Sequence, residues 1–187
     1  MPVQYSGIIE EHMAVRTAAG LFDVSHMGEV LIRGPEALAF VQHLITNDAS
    51  TLYDGRALYT VLCTPEGGII DDGLVYRRSE TEYLMVLNAA NIARDLEWMR
   101  RHNPMGAELT DISATTALLA LQGPKALEIA QPLVDADLDE LSYYHFWERS
   151  DGAFLGCDTA LLSRTGYTGE PGLELYVPAE QALSVWE

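Results

Sequence analysis

The feature that most constrains the fold of this chain is an internal repeat. Two strand-glycine-proline-helix junctions, RGPEAL and QGPKAL, place Gly34 and Gly123 89 positions apart. Around each junction the hydrophobic pattern predicts the same order: a strand, a helix, three strands and a second helix. We therefore predict two related β-α-β-β-β-α units, residues 1–110 and 111–187, in which helices cover antiparallel sheets. This is an α+β fold class.

The predicted elements follow from periodicity and from turn residues. Residues 8–19 have helical spacing, with Ser6 as the expected N-cap and Gly20 as the expected stop, before an irregular or extended link over 21–27. The last helix is cut short at Glu187, so we expect the second unit to be truncated. The other predicted elements are strands over 28–34, 57–63, 69–76, 83–87, 116–123, 144–150, 158–163 and 173–177, and helices opened by Pro35, capped by Asn88, opened by Pro124 and started at Ala179.

The run GGIIDDG, residues 67–73, puts two acidic residues into a predicted strand. Its glycines favour a hairpin turn, and because side chains alternate along a strand, one of Asp71 and Asp72 must point inward. Aspartate is depleted in strands, so the run departs from the local preference. The pattern alone leaves two interpretations, a turn or edge-strand residue and a buried carboxylate beside a ligand. The repeat makes RTGYTGEPG, residues 164–172, the counterpart loop, and we expect the two loops to meet at one site.

Composition excludes several classes of function. The net charge of −17 argues against nucleic acid and against an anionic membrane surface as partners. No apolar run reaches membrane length and no signal peptide opens the chain, so we expect a cytoplasmic protein. Cys63 and Cys157 are too few for a disulfide framework and are expected to be buried thiols. The histidines are scattered without ligand spacing, so no metal site is predicted.

Six strings of the sequence occur in an order that is typical of one family. They are MAVRTAAGLFDVSHMGE, LITND, YTVLCTPEGGIIDDGLVY, NAANIARDLEW, LALQGPKA and SRTGYTGEPGLELY. Together, from about residue 8 to residue 187, they resemble the aminomethyltransferase (T-protein) family of the glycine cleavage system. The resemblance implies a tetrahydrofolate-binding enzyme without a metal. It takes the aminomethyl group from the lipoyl arm of H-protein, releases ammonia and forms 5,10-methylenetetrahydrofolate.

The resemblance also implies roles for individual residues. Asp72 corresponds to the essential aspartate of the family, and we expect it to orient the folate nitrogen and to stabilise positive charge. Asp71 is expected to face the other way and to be structural. Glu174 is expected to accept paired N–H donors from the pterin edge. The implied folate-lining positions are Met27, Leu31, Tyr59, Leu74, Tyr76, Val86, Asn88, Tyr143, Tyr167 and Glu174.

The chain also departs from the family pattern. Family members are longer, with a C-terminal β-barrel domain that is expected to be absent here together with an arginine that reaches the folate site. Truncation would uncover an apolar face, so self-association or a partner chain is expected. Two alternatives stay open: another folate-dependent one-carbon transferase or demethylase, and a non-catalytic folate-binding module. Module relatives that act in iron–sulfur maturation carry a cysteine in the loop matching RTGYTGE, which this chain lacks, whereas truncation favours a module.

Overall fold

A computed structural model describes residues 3–187 of the chain, which form two compact units. The central unit is His26–Ala114, and the terminal unit combines the chain up to Ser25 with Thr115–Glu187. The change of unit at Thr115 is close to the boundary expected near residue 110. The residues up to Ser25, which the repeat assigned to the first half, belong instead with the second half.

Ten strands and five helices make up the described residues. The strands are β1 Gly20–Asp23, β2 Gly28–Arg33, β3 Arg56–Cys63, β4 Ile69–Ser79, β5 Glu82–Leu87, β6 Glu108–Asp111, β7 Thr116–Gln122, β8 Phe146–Arg149, β9 Ala160–Ser163 and β10 Gly172–Pro178. The helices are α1 Ile8–Thr17, α2 Ala37–Leu44, α3 Ile92–Arg101, α4 Ala126–Ala130 and α5 Ala182–Trp186. No helix among residues 3–187 is long and apolar enough to cross a membrane.

The two sheets share one topology. The central sheet has the order β3-β4-β5-β2-β6, and the terminal sheet has the order β8-β9-β10-β7-β1, with antiparallel neighbours throughout. In the central sheet the three strands that follow α2 lie side by side, and the last of them, β5, pairs with β2, which precedes α2. In the terminal sheet the three strands that follow α4 lie side by side, and β10 pairs with β7, which precedes α4. The predicted pair of related α+β units is therefore confirmed.

Helices cover one face of each sheet. In α2 the four buried side chains are all apolar and recur at helical spacing: Ala37, Phe40, Val41 and Leu44. They pack with Val30 of β2 and Met85 of β5 in one hydrophobic core. The terminal unit has its own core, in which α4 and α5 pack against β7, β9 and β10. Because side chains alternate along a strand, the neighbours of these core residues point to the opposite sheet face.

The start of the chain differs from its prediction. The segment expected to be an irregular or extended link contains strand β1, which pairs with β7, so Gly20 opens a strand rather than stopping a helix. Ser6 is not the cap of α1. One carboxylate oxygen of Glu11 accepts the backbone N–H groups of Tyr5, Ser6 and Gly7 at 2.6, 2.8 and 3.0 Å. A carboxylate in the first turn thus reaches back to N–H groups that precede the helix and fixes the approach of the chain to α1, in the manner of the acidic residue of a capping box.

Candidate functional site

The GGIIDDG run forms the hairpin that its sequence predicts. Strand β3 turns through residues 64–68, where the N–H of Gly67 donates to the carbonyl of Thr64 at 2.9 Å and Gly67 has a φ of 87°. Strand β4 begins at Ile69, so both acidic residues lie inside a strand. Gly73 follows them, and a Cβ there would lie 2.5 Å from the carbonyl oxygen of Val86 on β5. The run therefore needs a glycine immediately after its two acids.

Asp72 is held by two side chains. The hydroxyl of Tyr59 on β3 donates to its Oδ2 at 2.8 Å. The amide of Asn88, which follows β5, donates to its Oδ1 at 3.2 Å and to its backbone oxygen at 3.0 Å. These contacts fix a half-buried carboxylate on one face of the central sheet. Asn88 was also predicted to cap a helix, but its side chain makes no cap hydrogen bond.

The cross-strand register places most of the family-implied residues around this carboxylate. Tyr59 is opposite Leu74, and Leu74 is in turn opposite Val86 on β5. Residues directly opposite each other in an antiparallel pair share a sheet face. Leu31 and Tyr76 pair with the same residue, Leu84, and so lie on that face as well.

The members of this face differ in exposure. Leu31, Tyr76 and Val86 are buried, whereas Tyr59 is 49% exposed. Met27, which directly precedes β2, is half-buried. In the central unit the predicted apolar and aromatic residues therefore share one sheet face with the Asp72 carboxylate, and Asn88 lies at its edge.

Asp71 lies on the opposite face, as strand alternation requires, and it is buried. The Asn88 amide donates to its Oδ1 at 3.0 Å. Burial by itself would raise the pKa of Asp71, but hydrogen bonds from the side chains of Asp95, Asn88 and Asn91 lower it overall. Burial, and then the contact with Asp71, raise the pKa of Asp95 on α3 to about 7. Two buried carboxyl groups therefore lie behind the strand that carries Asp72.

Sequence reasoning missed a further buried carboxyl group, Glu29 on β2. Its side chain is fully buried, and neither carboxylate oxygen has a hydrogen-bond partner in the described residues. Burial, with a smaller contribution from Asp111, raises its pKa to about 8. Glu29 lies opposite Val86 and so belongs to the same sheet face as Leu74. An acidic residue inside the hydrophobic run GEVLIRG was the available signal.

The terminal unit contains the remaining predicted residues. Glu174 is half-buried on β10 and accepts a hydrogen bond from the hydroxyl of Thr165. Thr165 also lines a cleft of about 520 Å³ together with Tyr143, Arg164, Gly166, Tyr167, Gly169, Glu170, Pro171 and Gly172. Tyr143 is 68% exposed, and Tyr167 is fully exposed on the RTGYTGEPG loop. The structure thus brings Tyr143 and Tyr167 to one cleft and connects Glu174 to it through Thr165.

The RTGYTGEPG loop is anchored by Gln122, another residue that sequence reasoning missed. Its buried amide donates to the carbonyl oxygens of Thr165 and Leu173, both at 3.2 Å. Its amide oxygen accepts the hydroxyl of Thr168 at 2.9 Å. A Cβ at Gly172 would lie 2.4 Å from the Gln122 nitrogen, so this glycine makes room for the anchor. A polar residue at the end of the apolar strand LALQ was the signal.

Nothing in the described part of the chain groups three or more His, Cys, Asp or Glu side chains in a way that could hold a metal ion. Cys157 is buried and burial raises the pKa of its thiol, whereas Cys63 is half-buried at the end of β3. The polar groups around Asp72 are carboxyl, phenol and amide groups. Asp72 accepts hydrogen bonds from two of the residues implied by the sequence resemblance, Tyr59 and Asn88.

Comparison with known proteins identifies relatives of this chain. The family model of the GCVT N-terminal domain matches residues 1–187. The aminomethyltransferases of Moorella thermoacetica and Thermotoga maritima are 55% and 53% identical, and each match covers 100% of this chain and 50% of the relative. The chain therefore spans about half the length of the curated relatives it matches.

Solved structures agree with the sequence relatives. The crystal structure of glycine cleavage system aminomethyltransferase T from Bartonella henselae has a TM-score of 0.86 at 31% identity, covering 99% of this chain and 50% of that one. Heterotetrameric sarcosine oxidase from Corynebacterium sp. U-96 has a TM-score of 0.61 at 16% identity, covering 95% and 86%, which shows a shared fold alone. On the match of residues 1–187, the chain belongs to the GCVT N-terminal domain family of aminomethyltransferases.

Proposed function

We propose that this chain takes part in tetrahydrofolate-dependent aminomethyl transfer. In this reaction the aminomethyl group on the lipoyl arm of H-protein passes to tetrahydrofolate, ammonia leaves, and 5,10-methylenetetrahydrofolate forms. The observation that carries the proposal is the Asp72 carboxylate, held by Tyr59 and Asn88 on a largely apolar and aromatic sheet face. The relatives named aminomethyltransferase supply the reaction class.

The residue types on this face suit a folate. A pterin is flat and apolar above and below its plane, while its edge carries amide-like donors and acceptors. Ligands of this kind bind to apolar and aromatic walls that carry a few fixed polar groups. Leu74 is half-buried and supplies apolar surface beside Tyr59, which is half exposed. Tetrahydrofolate is accordingly the acceptor substrate that we assign to this family member.

Asp72 has an electrostatic and positioning role in this proposal. A folate nitrogen must attack an electron-poor methylene carbon while an amine departs, and positive charge develops during that step. A carboxylate already fixed by two hydrogen bonds stabilises the charge without reorganising and orients the attacking nitrogen. The loss of one such electrostatic partner typically costs roughly 10²–10³ in rate.

Glu174 has a recognition role in this proposal. The 2-amino-pyrimidine edge of a pterin presents neighbouring N–H donors, which a carboxylate can accept as a pair, as it does from a guanidinium group. The hydroxyl of Thr165 donates to Glu174 and thereby orients that carboxylate. H-protein, as the carrier of the aminomethyl group, is the protein partner that we propose.

Two measurements on the chain test the proposal. Calorimetry measures tetrahydrofolate binding, and an ammonia assay measures release from aminomethylated H-protein. We expect Asp72→Asn to lower the rate of ammonia release by about 10²–10³. Glu66→Gln is the matched control, because Glu66 is an exposed acid in the turn of the same hairpin.

The outcomes separate the candidate functions. Binding with ammonia release that depends on Asp72 supports an aminomethyltransferase. Binding without release would leave a folate-binding module. The absence of both activities would contradict the proposal, and an Asp72→Asn variant as fast as its parent would remove Asp72 from the mechanism.

A further inference from the structure

We propose that Asp95 is a positioning residue for Asp72: its protonated carboxyl group donates a hydrogen bond to Asp71, and this buried pair fixes the Asn88 amide that holds Asp72. The chain of contacts begins in the core of the central unit and ends at the candidate catalytic carboxylate. The effect of this chain of contacts on ligand binding rests on the proposed function. The protonation of Asp95 and its effect on the Asn88 amide are independent of that function.

The first step is the shared amide. The side-chain nitrogen of Asn88 lies 3.0 Å from Oδ1 of Asp71, 3.0 Å from the backbone oxygen of Asp72 and 3.2 Å from Oδ1 of Asp72. One amide therefore connects two adjacent acids whose side chains point to opposite faces of the sheet. A change in the charge or position of Asp71 must alter the orientation of this amide and, through it, the support of Asp72.

The second step concerns two buried oxygen atoms. Oδ2 of Asp71 and Oδ2 of Asp95 are both buried, and neither has a hydrogen-bond partner among the described residues when both groups are counted as carboxylates. Leaving a buried polar atom without a partner costs about 1–3 kcal/mol. The two side chains are in hydrogen-bond contact, and two carboxylates have no donor between them, so a single shared proton supplies the hydrogen bond that the pair requires.

The third step decides which group carries the proton. Asp71 already accepts hydrogen bonds from the amides of Asn88 and Asn91, which favour its ionised form. Asp95 is fully buried, and the charged groups that face it are Asp71 from β4 and Arg94 from its own helix. Burial and the proximity of Asp71 raise its pKa to about 7, and these outweigh the hydrogen bond from Arg94. The proton therefore belongs to Asp95.

A pH dependence follows from this arrangement. When Asp95 loses its proton, two negative carboxylates face each other in the core, and the hydrogen bond that Asp95 donates to Asp71 is lost. The anchor of Asn88 then loosens, and Asp72 loses part of its support. Asp95→Asn keeps the shape and supplies an N–H donor at every pH, so it removes the pH dependence without removing the contact.

Nuclear magnetic resonance tests the proton directly and without a ligand. In a chain labelled at aspartate carboxyl carbons, we expect one resonance to titrate near pH 7, the value for Asp95. That titration is expected to disappear in Asp95→Asn and to persist in Glu97→Gln, which removes an exposed acid from the same helix. If no aspartate titrates well above the ordinary range, or if the titration survives in Asp95→Asn, the protonation is disproved.

The side-chain amide of Asn88 reports the positioning role. Its resonances are expected to shift over the same pH range in the parent and to stay constant in Asp95→Asn. If the Asn88 amide resonances of the parent do not change with pH, the positioning role is overturned even if Asp95 titrates as expected. This readout separates positioning from a general contribution to folding, which would not follow the titration of one group.

Ligand affinity gives the functional readout. We expect tetrahydrofolate affinity to fall as pH rises through about 7 in the parent, and to lose that dependence in Asp95→Asn. Asp95→Ala, which has no donor, should bind about tenfold more weakly across the pH range. An identical pH profile in the parent and in Asp95→Asn would overturn the positioning role. If neither the parent nor any of these variants binds tetrahydrofolate, the proposed function fails. The Asn88 resonances then still decide whether Asp95 positions Asn88.

Discussion

The hydroxyl oxygen of Tyr59 lies 2.8 Å from Oδ2 of Asp72, at diagonal positions on neighbouring strands of the central sheet. Tyr59 is 49% exposed, so its ring is available to a ligand while its hydroxyl donates to the carboxylate. Because the strand pair fixes both backbones, this hydrogen bond and the one from Asn88 together orient the carboxylate. Under the proposed function, this contact would couple ligand recognition by Tyr59 to charge stabilisation by Asp72.

Tyr59→Phe tests this coupling. The change keeps the aromatic ring and removes only the hydroxyl that donates to Asp72. A hydrogen bond to a charged group contributes about 1.5–3 kcal/mol, and partial exposure of Tyr59 favours the lower end. We therefore expect tetrahydrofolate affinity, measured by calorimetry, to fall about tenfold. Tyr53→Phe is the matched control, since it removes the hydroxyl of another half-exposed tyrosine. Equal losses in the two variants would show that the Asp72 contact has no special role.

Gly73→Ala tests the close approach of β4 and β5. A Cβ at this position would lie 2.5 Å from the backbone oxygen of Val86, which a side-chain rotation cannot relieve. The strands must separate, and we expect the free energy of unfolding to fall by about 1–3 kcal/mol in urea denaturation. Gly68→Ala serves as the control in the same hairpin, because its Cβ would meet Thr64 at an ordinary 3.4 Å. A Gly73→Ala variant as stable as this control would contradict the proposed steric limit.

The sequence predicted the strands and helices whose patterns are local. The strand predicted over 28–34 corresponds to β2, and the helix predicted after Pro35 corresponds to α2. Strands β1 and β6 were not predicted because each has four residues at a sheet edge and no strong alternation. Their pairing partners are distant in sequence, so tertiary contacts determine that they become strands.

The same distinction applies to the candidate site. Family motifs implied that Asp72 is the functional acid of the IIDD run, but no motif indicated how that acid is supported. The contacts of Asn88 with both aspartates, and the placement of Asp95 behind them, depend on the packing of α3 against β4. Hydrogen bonds between side chains that are this far apart in the sequence cannot be predicted from the local pattern of apolar and polar residues. They become visible only in the folded chain.

Glu29→Gln tests the buried carboxyl group on β2. The folded protein holds a proton on Glu29 up to about pH 8, whereas the unfolded chain releases it near the ordinary value of 4.5. Unfolding therefore releases a proton between these values, and the free energy of unfolding falls as pH rises, by about 1.4 kcal/mol per pH unit from this group. Below the lower value and above the upper one, Glu29 adds no pH dependence.

The difference between variant and parent isolates this contribution from other titrating groups. In urea denaturation, the stability of Glu29→Gln relative to the parent should increase from pH 5 to pH 8, the upper end set by the raised pKa. Glu108→Gln is the control, since Glu108 is an exposed acid on edge strand β6. A constant difference between Glu29→Gln and the parent across this range would disprove the raised pKa of Glu29.

Gln122→Leu tests the anchor of the RTGYTGEPG loop. Leucine keeps a similar volume but removes the amide that donates to the carbonyl oxygens of Thr165 and Leu173, and a hydrogen bond of this kind contributes about 0.5–1.5 kcal/mol. We expect lower stability and faster cleavage by chymotrypsin after the fully exposed Tyr167, because local opening of the loop precedes cleavage. Thr168→Val removes the hydroxyl that donates to Gln122 and accepts the N–H of Glu170, but it leaves both hydrogen bonds from the Gln122 amide in place, so it should have a smaller effect on both measurements. Cleavage at the parental rate in Gln122→Leu would show that other contacts hold the loop, of which the ion pair between Arg16 and Glu170 is the nearest candidate.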